Sequence, residues 1–136
     1  MSVRIVQIED SLQERTNGAI EEVEAELRRY LGENPDCDGA PDLRNDLDYS
    51  GAIHEIVDGS VPVYTSEIEA TWFLHGSDLE DAYENAGVGR NPRENSGMTA
   101  IYCYIDQAVH EWYRDNADNV FEDWKEKRAA KEDKAA

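Results

Sequence analysis

Residues 51–68 read Gly51-Ala52-Ile53-His54-Glu55-Ile56-Val57-Asp58-Gly59-Ser60-Val61-Pro62-Val63-Tyr64-Thr65-Ser66-Glu67-Ile68, and their spacing decides the fold class. Ala52, Ile53, Ile56 and Val57 recur at i, i+1, i+4 and i+5, a helical stripe. Asp58-Gly59 supplies turn chemistry, with Gly59 free to take positive φ at a helix C-terminus. Ser60 can cap a new helix, and Pro62 is tolerated in its first turn, where no N–H needs an intrahelical partner. The stretch therefore reads as helix, corner and helix. It carries Glu55, Asp58 and Glu67 outward and contains no Lys or Arg.

The same periodicity extends to both sides. Upstream, Ser11-Leu12-Gln13-Glu14 has the form of a capping box. From it Leu12, Thr16, Ala19/Ile20, Val23, Leu27 and Tyr30/Leu31 recur every three or four residues, an amphipathic helix ending near Gly32. Residues 33–41 are turn chemistry, and a second helical region is expected over 42–57, broken near Ser50-Gly51. Downstream, the third helix is expected over 61–75, burying Val61, Tyr64, Ile68 and Trp72 and stopped by Gly76. A short turn over 78–86 and a Gly/Pro loop over 87–97 follow, and Asn95 or Ser96 starts the longest helix.

In that last helix Ile101, Ile105, Ala108 and Trp112 mark one apolar face, and Ala117, Val120, Phe121 and Trp124 another, about a third of a turn away. Either the helix bends near Asp115-Asn116 or its end meets a different partner. Residues 3–8 are β-branched but have no second strand to pair with, so 1–10 reads as an arm. Residues 125–136 alternate charge and read as a frayed, solvated helix end. The expectation is one all-α domain over 1–136, a bundle of four to five helices with a long, bent C-terminal helix.

Charge narrows the function. Thirty-one acids face 13 Lys and Arg, a formal net charge of −18. Such a charge repels itself and destabilises a compact chain, so folding alone does not favour it. A polyanion ligand needs a basic face, which argues against direct nucleic-acid binding. A disordered acidic tail fails as an explanation, because the 40% hydrophobic residues run through the acidic regions. A solvated surface or a halophilic one remains open. The charge is concentrated: residues 32–89 hold fourteen acids and a single base, Arg44.

Within the last helix Glu111, Asp115, Asp118 and Glu122 share one face. They stand about 6 Å apart along the axis, comparable to duplex phosphates at about 3.4 Å per nucleotide on each strand. Carboxylates at i, i+4 repel by a few tenths of a kcal/mol per pair, a cost accepted repeatedly here. The same spacing argument adds Asp42, Asp46, Asp48, Glu55, Asp81 and Glu84 to the candidate anionic surface.

Catalytic chemistry has little to stand on. His54, His75 and His110 lack a second His or Cys at i+3 or i+4, so no metal site is expected. Glu21, Glu22, Glu24 and Glu26 could suggest a magnesium-dependent nucleotide pyrophosphohydrolase. That chemistry needs carboxylates converging from several helices. No phosphate-cradling loop, nucleophile elbow or triad is present, and no catalytic residue, cofactor or metal is expected. Cys37 and Cys103 have no ligand spacing and no neighbouring base to activate them. No apolar run is long enough to cross a bilayer, so a cytosolic chain with reduced thiols is expected.

Ala52-Ile53-His54, Asp58, Val61-Pro62, Tyr64, Glu67-Ile68 and Asp78-Leu79-Glu80 resemble, in this order, the central segment of the phage Ocr-like antirestriction family. The likeness covers residues 46–81 and continues loosely at Ile105-Asp106-Gln107 and Trp112. It implies an all-helical homodimer that imitates bent duplex DNA in the host cytoplasm. It further implies a partner: a type I restriction–modification complex, or the methyltransferase of a related methylation-based defence, whose DNA cleft is occupied competitively. On matched positions the phosphate-mimicking carboxylates would be Asp58, Glu67, Asp78 and Glu80. Two features depart from the family: a basic tail (Lys125, Lys127, Arg128, Lys131, Lys134) and a longer N-terminal region. The readings to set beside it are an acidic adaptor for a basic protein partner and the pyrophosphohydrolase.

A dimer contact is expected on the third helix. Trp72-Phe73-Leu74 spans about 200° of helix surface, more than one core stripe can bury. With Trp72 inward beside Ile68, Phe73 or Leu74 must face out, and Ala70 completes a compact apolar patch.

Overall fold

A computed structural model describes residues 11–87 and 97–135, with side chains through 130. The expected arm (1–10), most of the Gly/Pro loop (88–96) and its starting cap lie outside the described residues. Four α-helices and one π-helical turn make up the described chain, with no strand among those residues. They are α1 (Ser11–Glu33), the π-turn (Leu43–Leu47), α2 (Ala52–Gly59), α3 (Thr65–Asn85) and α4 (Gly97–Ala135).

The fold is built on α4. Its interfaces with α1 and with α3 dominate the packing, while α2 and the π-turn close the remaining side. Trp72 Nε1 donates to Gly97 O at 3.2 Å, and Gln107 Nε2 to Ala82 O at 2.6 Å. Both contacts step ten residues in the same sense, so α3 and α4 run parallel. Farther along, Arg28 of α1 meets Asp123 at 3.2 Å. The first half of α4 thus faces α3 and its second half faces α1.

This arrangement answers the two-face problem in α4. Ile101, Ile105, Val109, Tyr113, Ala117 and Phe121 are all buried. Each step is four residues, and at 100° per residue the line advances about 40° around the helix at every step. Val109 and Tyr113 join the two faces into one spiral that follows the change of partner. The helix is continuous from Gly97 to Ala135. Of the two expected alternatives, the change of partner is the one realised, and the apolar pattern requires no bend at 115–116.

α1 buries Leu12, Thr16, Ala19, Val23, Leu27 and Leu31, the expected stripe, with Thr16 Oγ1 donating to Leu12 O. The second helical region is broken as expected, between a π-turn and α2. Asp48 spans the break: its Oδ1 accepts from Ile53 N (3.0 Å) and His54 N (3.1 Å). Gly51 between them takes φ 79°, a left-handed conformation costing a side-chain-bearing residue about 1–2 kcal/mol.

The corner after α2 differs from the expectation. Gly59 ends α2 without positive φ, and Ser60, at φ −90°, is a C-cap whose hydroxyl donates back to Ile56 O. α3 starts at Thr65 rather than Val61. Pro62 disfavours helical backbone at Val61, and both residues are buried in a non-helical connection. Tyr64 consequently becomes the N-cap of α3 and is exposed, not core. The stop expected at Gly76 is realised as a kink between two helical stretches. His75 takes φ −130°, ψ 21° just before Gly76-Ser77, a pair at which helices kink, and α3 then continues through the expected short turn to Asn85. Residues 125–130 remain helical, and Arg128 lies over the Trp124 ring (5.5 Å) while donating to Pro35 O.

The phenol of Tyr113, buried in the α4 spiral, donates to Pro41 O and pins the 34–42 connection. Burial first, then Asp42, Asp46 and Asp118, push its pKa up; burial and Asp106 do the same for Tyr102. Spectrophotometric titration should therefore find at least two of the seven tyrosines ionising above the ordinary value near 10. Tyr113→Phe should remove one of them. Because these folded phenols hold their protons longer than unfolded ones, their contribution is full below about pH 10 and is lost as pH rises through the folded values.

Candidate functional site

The candidate surface is the set of carboxylates left over once the fold has taken those it uses. Glu67 is one it uses. Arg15 Nε and Nη2 donate to Glu67 Oε1 at 2.9 and 2.8 Å, and Nη2 also reaches Oε2 at 2.9 Å. Arg15 Nη1 continues to Ser60 O at 3.1 Å, so one guanidinium ties α1, the end of α2 and the start of α3. The pair is half-buried and bidentate, the strong form of an ion pair. Glu67 is a strut, and its charge is not available to a partner. Asp48, with an oxygen capping α2, is also structural.

Asp42 and Asp46 are exposed but fixed by backbone. Asp42 Oδ1 accepts from Arg44 N and Asn45 N, and Asp46 Oδ2 from Asp42 N. These reciprocal bonds hold the π-turn and set both carboxylates at its outer edge. On α2, Glu55 and Asp58 are exposed and carry no side-chain bond among the described residues. Glu80, Asp81 and Glu84 on α3 are the same, and Asp78 has His75 Nδ1 at 3.9 Å. On α4, Glu111, Asp115, Asp118 and Glu122 are exposed as their spacing requires; of these, Asp115 is paired, with Arg114 at 3.3 Å.

The structure brings several of these together. Asp42, Asp46 and Asp118 all act on the Tyr113 phenol, and Asp48, Asp58 and Asp106 on that of Tyr102, which sits 2.7 Å from His54 Nδ1. The π-turn, α2 and the middle of α4 therefore share one flank. Asp78 and Glu80 take no part in these contacts.

Asp106 belongs to this flank but is absent from the candidates drawn from the sequence. It is half-buried between His110 Nε2 (3.4 Å) and Arg44 (3.6 Å). The signal was present: Tyr102, Asp106 and His110 lie four apart, on one helix face. The acidic run of α1 does not converge with it. Glu24 pairs with Arg28, and Glu26 with Arg29, on α1 itself. Among the described residues no three His, Cys, Asp or Glu gather so as to hold a metal ion. Cys103 is buried, which pushes its thiol pKa up, away from nucleophilic chemistry. No helix among the described residues is long and apolar enough to cross a membrane.

No family model, curated protein or solved structure matches the chain.

Folding and surface acids can be told apart by measurement. Glu67→Gln should cost about 1–2 kcal/mol, since it leaves a half-buried guanidinium without its partner. Glu111→Gln with Asp118→Asn should leave stability unchanged or raise it by a few tenths of a kcal/mol, by relieving repulsion. Chemical denaturation reads both. Destabilisation by the α4 pair equal to that of Glu67→Gln contradicts the division.

Proposed function

We propose that the chain is a non-catalytic DNA mimic that inhibits a DNA-binding defence enzyme, a type I restriction–modification complex or a related methyltransferase, by occupying its DNA cleft. The observation that carries this reading is where the acids stand. Asp58 lies in the last turn of α2 and Asp81 and Glu84 near the end of α3, and neither helix has a basic residue in its last turn. The C-terminal end of a helix is its negative pole, so each such acid disfavours folding by about 0.3–1 kcal/mol. Together with Glu111, Asp118 and Glu122 on α4, these are carboxylates held in place by the fold without helping it. Their use then lies outside the chain, and a basic cleft shaped for phosphates is the complementary surface. The residue-by-residue resemblance over 46–81 supports the same reading.

The mechanism is competitive. Fixed carboxylates replace phosphates in the cleft, and the long-range field raises the rate of encounter. Purified chain should displace duplex DNA from type I restriction–modification complexes, and displacement should weaken steeply with added salt as the field is screened. It should not shift naked duplex. A ternary complex of enzyme, duplex and this chain would refute the mimic reading.

The active form is proposed to be a homodimer through α3. Phe73 is 77% exposed and Leu74 41%, with Ala70 half-buried beside them, while Trp72 and Ile68 pack inward. A two-fold contact through this patch is self-complementary. It joins two chains into one object of about −36, the formal charge of roughly 18 base pairs. Light scattering at moderate salt should report the dimer mass for the native chain and the monomer mass for Phe73→Asp. A native monomer, or a dimer indifferent to that substitution, removes this interface.

A further inference from the structure

Two arginines interrupt the anionic flank. Arg44 on the π-turn and Arg114 on α4 line the same two adjoining hollows. The larger, about 810 Å³, lies against Tyr102, Asp106 and Glu111 and reaches the end of α3 at Asn85 and Ala86. The smaller, about 410 Å³, continues it between Asp42 and Asp118. Together they form one open groove with acids on its rims and two guanidinium groups between them.

Neither arginine is firmly held. Arg44 stands 3.6 Å from Asp106, and Arg114 meets the carboxylate of its own chain neighbour, Asp115, at 3.3 Å. Their side chains are 69% and 73% exposed, against 30% for Arg15 in its strut. Most of the five N–H donors on each guanidinium face solvent. A surface selected only for negative charge gains nothing from two loose cations in hollows lined by Asp42, Asp106, Glu111 and Asp118.

We infer that Arg44 and Arg114 form a cationic notch that receives a carboxylate of the partner protein, so that the partner's surface is basic with an acidic side chain set within it. The inference rests on the inhibitor reading above and says what kind of cleft is read. DNA-handling enzymes have cause to place carboxylates among their basic residues. A carboxylate accepts the cytosine amino group, and carboxylates hold the divalent cations of phosphodiester cleavage. An unbroken row of acids would be repelled at such a point. A guanidinium meets a carboxylate there with a planar, two-pronged fork. Arg44 and Arg114 thus act as specificity residues, selecting among basic clefts those with a carboxylate in the matching place.

The test reverses the usual electrostatic expectation. Arg44→Glu with Arg114→Glu changes the charge by two units at each site, from −18 to −22, so a featureless polyanion should bind at least as well as before. The reading is the chain concentration that half-displaces duplex from the restriction–modification complex that the native chain inhibits best. The notch predicts at least tenfold weaker displacement for the double Glu variant and at least threefold for Arg44→Gln with Arg114→Gln. Both should displace native-like from a poly-lysine matrix at equal or higher salt. Equal or stronger inhibition by the Gln pair overturns the notch and leaves the inhibitor reading standing. If the Glu pair fails to fold by thermal melting, the Gln pair alone decides. Failure of the native chain to displace duplex from any complex overturns both readings, and that result is visible before any variant is made.

Discussion

The buried line along α4 is the constraint on which the other elements depend. Ile101, Ile105 and Val109 are wholly buried, and the line continues through Tyr113 and Ala117 to Phe121 while turning around the helix. That turn lets one helix serve two partners in succession, α3 first and α1 second. It also fixes the outer face by subtraction. Once the spiral is inward, Glu111, Asp115, Asp118 and Glu122 have only solvent to face. The magnitudes agree with this order of causes. Each fully buried aliphatic side chain contributes about 1.5–3 kcal/mol, whereas each i, i+4 pair of acids costs a few tenths. The apolar line can therefore carry the acidic row with margin left over.

Acidity is handled differently at different places. Where elements meet, acids are neutralised by well-made pairs, as Arg15 with Glu67 and Arg28 with Asp123. Asp123 has its pKa lowered by Lys127 and Arg28, so it stays ionised where α1 and α4 join. At loop corners, acids cap backbone, as Asp42, Asp46 and Asp48 do. Only the remainder points outward without partners.

Much of this was legible in the sequence because helical periodicity is local. The stripe of α1 needed only its own residues, and the break at Ser50-Gly51 only turn chemistry. What could not be read depended on distant partners. Glu67 is indistinguishable from its exposed neighbours until Arg15, far away in the chain, folds onto it. Val109 and Tyr113 were missed because strict four-residue steps look like two short stripes unless the helix is known to change partner. The start of α3 was misplaced because Val61-Pro62 permits both a first turn and a non-helical approach. Burial of those two side chains against the core chose the second. The flank that gathers Asp42, Asp46 and Asp118 around Tyr113 is likewise a product of tertiary structure.

The parallel course of α3 and α4 bears on how the chain is made. Every earlier helix docks on α4, the last in order among the described elements, and the Arg28–Asp123 contact joins residues 95 apart. Until α4 leaves the ribosome, α1, α2 and α3 have little to bury against, and their like charges hold them apart. A net charge of −18 that burdens the finished fold also disfavours association between unfinished chains. Closure of the described fold therefore waits on α4, the element against which both α1 and α3 pack.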